Sequence, residues 1–443
     1  MQTVSHGRPR GTLLAGSLPD FARDPLEFVT RTAREHGAVA RLRFGRARAV
    51  LLSDPALIEA VLVKNRSSFV KARALRAQHR LFGNGLLTNE GDSWLHQRRL
   101  AQPAFHPARM ASHAGVVASR TSELLRSWKP GERIDVHEEM KGLLMGIVAE
   151  ALFGADVAER AVSVGAALES LMDRWASRRG LARLIPDWLP VGVSARYTEG
   201  VRELDEVVRQ MIATRRKSGE ERRDLLGMLL AARDESGKGM SDEQVRDEAI
   251  TLFVGGFDTP ALAMSWMWYL LATHREPAQR VAEEADSVLA GRLPALDDLQ
   301  RLTYTTSVVK EAMRLYPPAW LLAREAVEDV AIEGHVIPRG AAVLMSPWVV
   351  HRDHRLFGDA LAFDPGRWID GRTSSLHRFA YFPFGGGPRV CIGAAFAMME
   401  TTLVLAMLAQ RFQFVVENGA SIQPRASMTL RPDGGVPAVV TPR

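Results

Sequence analysis

The chain contains a single cysteine, Cys391, in a glycine-rich loop that reads FGGGPRVCIG over residues 384–393. Three consecutive glycines let the backbone adopt positive φ angles and approach a flat ligand closely. Cys391 stands at the start of an apolar helix, where unpaired N–H groups and the helix dipole favour the thiolate over the thiol. Amides just after the cysteine can donate hydrogen bonds to its sulfur, and Gly393 leaves room for a ring system against the helix. The loop predicts a thiolate with a chemical role.

A lone cysteine can also be an inert residue, a zinc ligand or a catalytic nucleophile. A free cysteine is most often an inert, buried residue. A zinc site would need further nitrogen or sulfur ligands, and none are spaced for it near Cys391. A nucleophilic cysteine would want a partner base, and no histidine lies within the loop. The surroundings of Cys391 therefore differ from those expected for each alternative.

The loop resembles the haem-binding loop of the cytochrome P-450 superfamily. The superfamily pattern Phe-x-x-Gly-x-Arg-x-Cys-x-Gly is met here by Phe384, Gly387, Arg389, Cys391 and Gly393. The resemblance implies that Cys391 is the axial ligand of the iron of haem b, and that Phe384 and Gly393 contact this cofactor. A thiolate in that position donates electron density to the iron and favours cleavage of the O–O bond.

A second motif lies in a long predicted helix that opens at Ser241, where Gln244 completes a capping box, and continues to about Thr273. The middle of this helix reads GGFDTP over residues 255–260. Glycine weakens a helix, and Pro260 cannot donate a backbone hydrogen bond. The segment is therefore either a plain packing kink or a groove with a function.

The superfamily carries a small-Gly-x-acid-Thr pattern at this position, and residues 255–259 match it. Gly255 stands where alanine is commoner, and the proline after Thr259 is a second departure from the pattern. The resemblance implies that Asp258 and Thr259 are catalytic and deliver protons for dioxygen activation.

A third motif pairs Glu311 with Arg314, three residues apart on one face of a helix. Most such pairs are exposed and contribute little to stability. The segment FDPGRW over residues 363–368 resembles the superfamily region that supplies a second arginine, here Arg367. The resemblance implies a structural triad of Glu311, Arg314 and Arg367 behind the cysteine loop.

A fourth motif places Trp94 and Arg98 on one helical face, and an arginine can bind a haem carboxylate through two hydrogen bonds. Arg324 and Arg389 occupy positions where superfamily members contact the haem propionates. Lys71 is a weaker candidate for the same role. Taken singly, each of these cations would be assigned to the solvated surface.

The resemblance also places several residues around a substrate pocket. These candidates are Leu86, Leu87, Val254, Gly255, Ala319, Trp320 and Met428. Their apolar character predicts a lipophilic substrate such as a fatty acid, a terpenoid or a carotenoid-like molecule. Similar side chains line the core of any protein, so the substrate class depends mainly on the resemblance.

The elements that position these motifs are mostly helical, and the expected fold class is mainly α, a large helical body with a smaller β-rich portion. One domain is expected over residues 1–443, without a fused reductase and with an irregular N-terminal segment over residues 1–24. Periodicity predicts the following elements: a helix over Pro25–His36, strands over Ala38–Phe44 and Ala47–Leu52, a helix from Asp54 to about Lys64, helices dominating from Asp92 to Arg233, strands between Leu321 and Met345, and a last helix from Ile392 to about Gln410.

Composition narrows the functional classes further. Hydrophobic residues make up 46% of the chain, enough for a sizeable core. The net charge of +6 reflects either an arginine-rich composition or a basic face for an acidic partner, and no stretch interleaves basic and aromatic residues as a nucleic-acid groove would.

The apolar stretches Pro260–Thr273 and Cys391–Ala409 are interpreted as buried core helices rather than membrane spans. A lone cysteine and the lack of a signal peptide predict a cytoplasmic protein without a membrane anchor.

The resemblance implies a monooxygenase that hydroxylates its substrate with dioxygen and two electrons. The electrons would come from a separate ferredoxin or flavodoxin with its NAD(P)H reductase, and the enzyme is expected to be a monomer. A peroxygenase or a rearranging enzyme of the same fold is the alternative, although such enzymes usually lack the acid–threonine pair. A gas-sensing haem module and a haem-free interaction protein are more distant alternatives.

Overall fold

A computed structural model of the protein describes residues 12, 14–154, 194–218, 224–417 and 421–443. The helices of this part of the chain are α1 (Leu18–Arg23), α2 (Pro25–His36), α3 (Pro55–Glu59), α4 (Arg73–Arg76), α5 (His79–Phe82), α6 (Gly91–Ala101), α7 (Pro107–Ser127), α8 (Val136–Phe153), α9 (Ser194–Ser218), α10 (Leu225–Ala231), α11 (Asp242–Thr273), α12 (Arg275–Leu289), α13 (Thr303–Leu315), α14 (Pro347–Val350) and α15 (Ala394–Ala409). The strands are β1 (Val39–Phe44), β2 (Ala47–Leu52), β3 (Phe69–Lys71), β4 (Arg133–Asp135), β5 (Leu322–Ala326), β6 (Val330–Ile332), β7 (His335–Ile337), β8 (Ala342–Met345), β9 (Phe412–Val416), β10 (Pro424–Ala426), β11 (Leu430–Pro432) and β12 (Pro437–Pro442). The mainly helical fold with a smaller β-rich portion is confirmed.

The largest sheet has five strands in the order β1-β2-β8-β5-β3. Only β2 and β8 pair in parallel within this sheet, and its other neighbours are antiparallel. A second sheet has the order β4-β12-β9, and two hairpins are formed by β6 with β7 and by β10 with β11. The five-stranded sheet therefore brings together strands from both halves of the chain.

Helix α11 forms the centre of the molecule. Its capping box is present as predicted, because the Ser241 hydroxyl accepts from the amide of Gln244 and the Gln244 side chain accepts from the amide of Ser241. The helix continues without interruption through Pro260. Its C-terminal half contains side chains with no exposed surface: Ala261, Leu262, Met264, Trp266 and Met267. It packs against α8, α13 and α15, so it is a wall for any site beside them.

The predicted elements near the N-terminus agree closely with the structure. Helix α2 and strand β2 have the predicted bounds, and β1 begins one residue late, at Val39. The Asp54 side chain accepts from the amides of Ala56 and Leu57, as expected of an N-cap. The helix after it divides into α3 and a π-helical turn that ends at Lys64. Of the helical region predicted after Asp92, residues 155–193 and 219–223 lie outside the described residues.

The prediction of an irregular segment over residues 1–24 is wrong for the six residues of α1. The physical reason is tertiary, because the Phe21 ring packs against the rings of Phe28, Phe44 and Trp320. A single aromatic anchor of this kind gives no periodic signal in the sequence. Residues 1–11 and 13 lie outside the described residues.

The two long apolar stretches are core helices, as predicted. Residues 260–273 are the second half of α11, and residues 399–409 of α15 are buried. None of the helices in the described ranges is both long and apolar enough to span a bilayer.

Candidate active site

The cysteine loop approaches α15 through a 3₁₀ turn at Gly387–Arg389. Gly387 has a φ of +68°, and a Cβ atom there would overlap the carbonyl oxygen of Leu62. A Cβ atom at Gly386 would overlap the ring of Phe379. These two glycines are therefore required by close packing against the protein itself, which differs from the predicted close approach to a ligand.

A Cβ atom at Gly393 would meet a ring carbon of Phe105 at 3.8 Å, which is ordinary contact, and the predicted room for a ring system there stays a prediction. Gly393 is also the N-cap of α15, so the helix begins at Ala394, two residues later than predicted. Cys391 lies just before this cap, and its amide donates to the carbonyl of Phe384 at 3.0 Å. This turn delays the start of the helix.

The thiol of Cys391 is exposed although protein surrounds it closely. Burial raises the pKa of the thiol, while a hydrogen bond from the amide of Gly393 and the charge of Arg98 lower it. The amide and the guanidinium both favour the thiolate over the thiol. A side chain in the wall of an internal cavity is expected to be accessible and yet surrounded by protein, and Cys391 has both properties.

Four cations lie around the cysteine loop, and we name Lys71, Arg98, Arg324 and Arg389 the cationic cluster. Burial lowers the pKa of Lys71 to about 7 and that of Arg324 to about 10, and the charge of Arg389 contributes to both shifts. Burial also lowers the pKa values of Arg98 and Arg389. All four shifts disfavour the charged form, so the carboxylate of Glu90, which pairs with Arg389, does not offset the burial of the four cations.

The direct partners of the cluster are few. Arg389 pairs with the carboxylate of Glu90 and donates to a backbone carbonyl. The Lys71 ammonium donates to the carbonyls of Leu86 and Leu87, and its backbone amide donates to the Glu90 carboxylate. The Arg324 side chain donates to the carbonyl of its neighbour Ala323. Within the described ranges the side chain of Arg98 has no hydrogen-bond or carboxylate partner, and its charge interacts with Cys391.

Two aromatic residues of the predicted site lie beside these cations. Trp94 is buried in α6, and the guanidinium of Arg389 lies 4.1 Å from the centre of its ring. Phe384 is half-buried at the start of the cysteine loop and packs against the main core. The structure thus brings Trp94 and Arg389 together, although 295 positions separate them.

One face of α11 opens in the middle of the buried helix. Gly255 is exposed and Thr259 is half-buried, whereas Val254 and Phe257 are buried. Positions four apart lie on the same face of a helix. The Thr259 hydroxyl donates to the carbonyl of Gly255 at 2.9 Å. A strip without large side chains therefore faces an opening at this point.

Asp258 points elsewhere, into the protein. Its side chain is 4% exposed and pairs with Arg431 at 2.6 Å, and it also accepts from the Thr429 hydroxyl at 3.4 Å. Sequence reasoning missed both partners, since they lie on the β10–β11 hairpin about 170 residues away. An arginine in the middle of a short strand beside a threonine was the available signal.

The predicted pocket residues differ in exposure. Gly255 and Met428 are exposed, and Leu87 and Ala319 are half-buried. Three others are buried: Leu86, Val254 and Trp320. The indole of Trp320 is 4% exposed, stacks on Phe21 and donates to the carbonyl of Ser427. Its ring belongs to the core of the N-terminal sheet, so any contribution to a pocket comes from its backbone or from a change in packing.

The loop that carries Leu86 and Leu87 is held by acidic residues that sequence reasoning also missed. The amide of Asn84 donates to Asp247 at 2.7 Å, and the amide of Leu86 donates to Glu248 at 3.0 Å. Burial raises the pKa of Glu248 to about 8. The adjacent acids in the first turns of α11 were the signal for this contact.

The structural triad is assembled in the interior. Arg314 donates twice to the Glu311 carboxylate, at 2.8 Å each, and Arg367 donates once at 3.0 Å. Trp368 and the amide of Asp364 donate to the same carboxylate. The three charged residues are all buried. The second arginine reaches Glu311 from the 3₁₀ turn at Pro365–Trp368.

Comparison with known proteins places this fold and site in a family. The family model described as cytochrome P450 matches residues 7–436. Cyclooctatin synthase of Streptomyces melanosporofaciens is 37% identical over 95% of this chain and 92% of its own length. Pentalenene oxygenase of Streptomyces avermitilis is 33% identical over 96% of this chain and 95% of its own length.

A solved structure, retinoic acid-bound cyanobacterial CYP120A1, has the same fold. It is 24% identical, with a TM-score of 0.89 over 98% of each chain. The family model and the Streptomyces relatives are more specific than this likeness of fold, because they match by sequence along nearly the whole chain. The chain therefore belongs to the cytochrome P450 family of haem b-dependent monooxygenases.

Proposed function

We propose that Cys391 is the axial thiolate ligand of the haem and that the enzyme hydroxylates a lipophilic, terpenoid-like molecule. The observation that carries the proposal is the accessible thiol of Cys391, which receives a hydrogen bond from Gly393 and faces the charge of Arg98. A haem bound to such a thiolate supplies the reductive activation of dioxygen.

The cationic cluster supports binding of haem b beside this thiol. Haem b carries two propionate groups, and the cluster has four cations whose pKa values are lowered by burial even though Glu90 pairs with Arg389. Charge-assisted hydrogen bonds from Arg98, Arg324 and Arg389 would hold the propionates, with Lys71 as a further donor. The protein therefore has charge and hydrogen-bond donors that fit this cofactor.

Ring contacts would complete the haem site. Phe384 opens the cysteine loop, and Trp94 lies under the guanidinium of Arg389, so an aromatic surface adjoins the propionate-binding cations. Gly393 has no side chain, and the nearest atom to a Cβ built there is a ring carbon of Phe105 at 3.8 Å. We propose that Phe384, Gly393 and Trp94 contact the cofactor.

Asp258 and Thr259 are proposed to manage protons. Thr259 lies on the open face of α11, where its hydroxyl is held by the carbonyl of Gly255. Asp258 directly precedes Thr259 in the chain and is buried in the protein. In this arrangement the Asp258 carboxyl gives a proton toward the Thr259 Oγ1, and the hydroxyl passes one into the open region.

The substrate assignment is supported by the names of the relatives and by the candidate wall. Two relatives at 33–37% identity are named for cyclooctatin and pentalenene, which supports a terpenoid substrate. The loop with Leu86 and Leu87, the exposed Gly255, Ala319 and Met428 would offer apolar contact to such a molecule. We propose that burial, rather than polar recognition, holds it.

Electrons are proposed to come from a ferredoxin or flavodoxin with its NAD(P)H reductase. The net charge of +6 suits an acidic donor protein.

The experiment that tests the proposal starts with the reduced protein under carbon monoxide. We expect the long-wavelength absorption band of a thiolate-ligated haem, and we expect Cys391→Ser to lose this band. Terpenes and fatty acids are then screened for a Soret shift, and compounds that shift it are tested for hydroxylation with a ferredoxin and its reductase. A reduced protein without the long-wavelength band would contradict the ligand assignment, and hydroxylation of fatty acids alone would contradict the substrate class.

A further inference from the structure

The ion pair between Asp258 and Arg431 is buried next to the open face of α11. The two side chains are 4% and 9% exposed, and their nearest atoms are 2.6 Å apart. The Thr429 hydroxyl adds a hydrogen bond to the other carboxylate oxygen at 3.4 Å. Both partners come from the hairpin of β10 and β11, so a separate element controls the orientation of this carboxylate.

The hairpin is fixed to the body of the protein by contacts that do not involve Asp258. The Trp266 indole donates to the carbonyl of Leu430 at 3.1 Å, and the amide of Leu430 donates to the carbonyl of Pro318 at 2.9 Å. The Trp320 indole donates to the carbonyl of Ser427 at 2.9 Å. The ion pair is therefore not needed to attach the hairpin, and burying two charges carries a desolvation cost.

His137 of α8 is a titratable group near this pair, since both Arg431 and Asp258 contribute to its pKa. Burial lowers its pKa to about 4, and the charge of Arg431 contributes to the shift. Its Nδ1 lies 3.0 Å from the hydroxyl of Ser265. The imidazole is therefore neutral near pH 7, and Arg431 is the cation that compensates Asp258.

We propose that Arg431, assisted by Thr429, is a positioning residue that holds the Asp258 carboxylate ready to exchange protons with Thr259. The proposal rests on the proposed function of Asp258. In each exchange the Asp258 carboxylate first takes one proton from solvent and then gives it to the Thr259 Oγ1, whose own hydroxyl proton moves on, so the carboxylate pairs with Arg431 again. The β10–β11 hairpin thereby becomes part of the proton supply, and the same hairpin carries the pocket candidate Met428.

The test compares hairpin variants of the haem-loaded enzyme. Arg431→Met removes the charge, Arg431→Lys keeps it, and Thr429→Val removes only the weaker hydrogen bond. Arg425→Met is the matched control, because Arg425 lies directly across the hairpin from Arg431 and pairs with Asp433. Turnover is measured as NAD(P)H oxidation with dioxygen, a ferredoxin and its reductase, because this route draws its protons from solvent whereas hydrogen peroxide brings its own.

One readout is independent of activity. Infrared difference spectra of Arg431→Met against the parent protein should show a new band of a protonated carboxyl group, since a buried carboxylate without a counter-ion favours its neutral form. The band should be absent from the double variant Arg431→Met/Asp258→Asn. Buried acids such as Glu248 are common to all variants and cancel in the difference.

In the turnover assay Arg431→Met is expected to lose on the order of tenfold in rate, as loss of acid–base assistance does, with a larger solvent isotope effect. Arg431→Lys should recover part of the loss, Thr429→Val should show a smaller loss, and Arg425→Met should match the parent. Combining Arg431→Met with Asp258→Asn should add no loss to that of Asp258→Asn alone.

Two results would overturn the proposal. The first is an Arg431→Met variant that folds, shows the new infrared band and turns over like Arg425→Met while Asp258→Asn is slow. The second is a double variant whose losses multiply, because Arg431 would then act independently of Asp258. A normal rate for Asp258→Asn would instead refute the proposed role of Asp258, and the infrared band would still report the pairing. If Arg431→Met does not fold, Thr429→Val tests the proposal in its place. A solvent isotope effect in Thr429→Val equal to that of the parent protein would count against the proposal.

Discussion

The structural triad and the cationic cluster both hold buried arginines, but they compensate the charges differently. All five N–H groups of Arg314 have acceptors: the Glu311 carboxylate and the carbonyls of His351, Ala360 and Ala362. In the cationic cluster, by contrast, burial lowers the pKa of every member. A guanidinium whose N–H groups all have acceptors within the protein stabilises the fold, whereas buried cations with few acceptors can take them from a ligand.

The largest expected effect is in the triad. Glu311→Gln leaves two buried guanidinium groups without their carboxylate, so the free energy of unfolding should fall by about 3–5 kcal/mol. Urea denaturation measures this loss. The matched control is Glu276→Gln, which breaks the exposed i,i+4 pair with Arg280 and should change stability by less than about 0.5 kcal/mol. Similar losses for the two variants would remove the distinction between a complete buried set and a surface pair.

The cationic cluster should respond in the opposite way. Arg98→Met and Arg324→Met each remove one charged donor to the haem, worth about 1.5–3 kcal/mol, so haem retention should weaken by roughly 10- to 100-fold. The haem-free protein should be no less stable, because a poorly compensated buried charge is removed. The rate of haem transfer to an excess of haem-free globin measures retention. A loss of stability without faster haem loss would assign these arginines to the fold.

The smallest effect is a pH dependence in the haem-free protein. The pKa of Lys71 is about 7 when folded against a usual value of 10.5, so between these values the unfolded chain binds more protons and stability rises with pH. The contribution is at most about 1.4 kcal/mol per pH unit. Lys71→Met should remove this contribution. The measurement is the difference in urea midpoint between the parent protein and the variant from pH 7 to 9, in which the titration of Glu248 is common to both proteins and cancels. A difference that does not change with pH would show that Lys71 is not desolvated.

Much of the fold and of the site follows from local sequence. Three motifs were predicted correctly as local features: residues 384–393, the capping box at Ser241 and the Glu311–Arg314 pair. The members of each motif lie within a few residues of one another, and such short spacing on a helix or loop can be read directly from a sequence. The bounds of α2, β2 and α11 agree with their predictions for the same reason. The start of α15 was missed by two residues because the Cys391 amide bonds back to Phe384.

Contacts between distant segments could not be predicted. Asp258 meets Arg431 across 173 positions, Arg389 covers Trp94, and the loop around Leu86 is bound by Glu248. Each depends on how sheets and helices pack, and no periodicity encodes a single side-chain contact over such a separation. The type of chemistry, in contrast, could be predicted from the residues around one cysteine. The packing decided which charges are compensated within the protein, because compensation depends on the distances between side chains from separate elements.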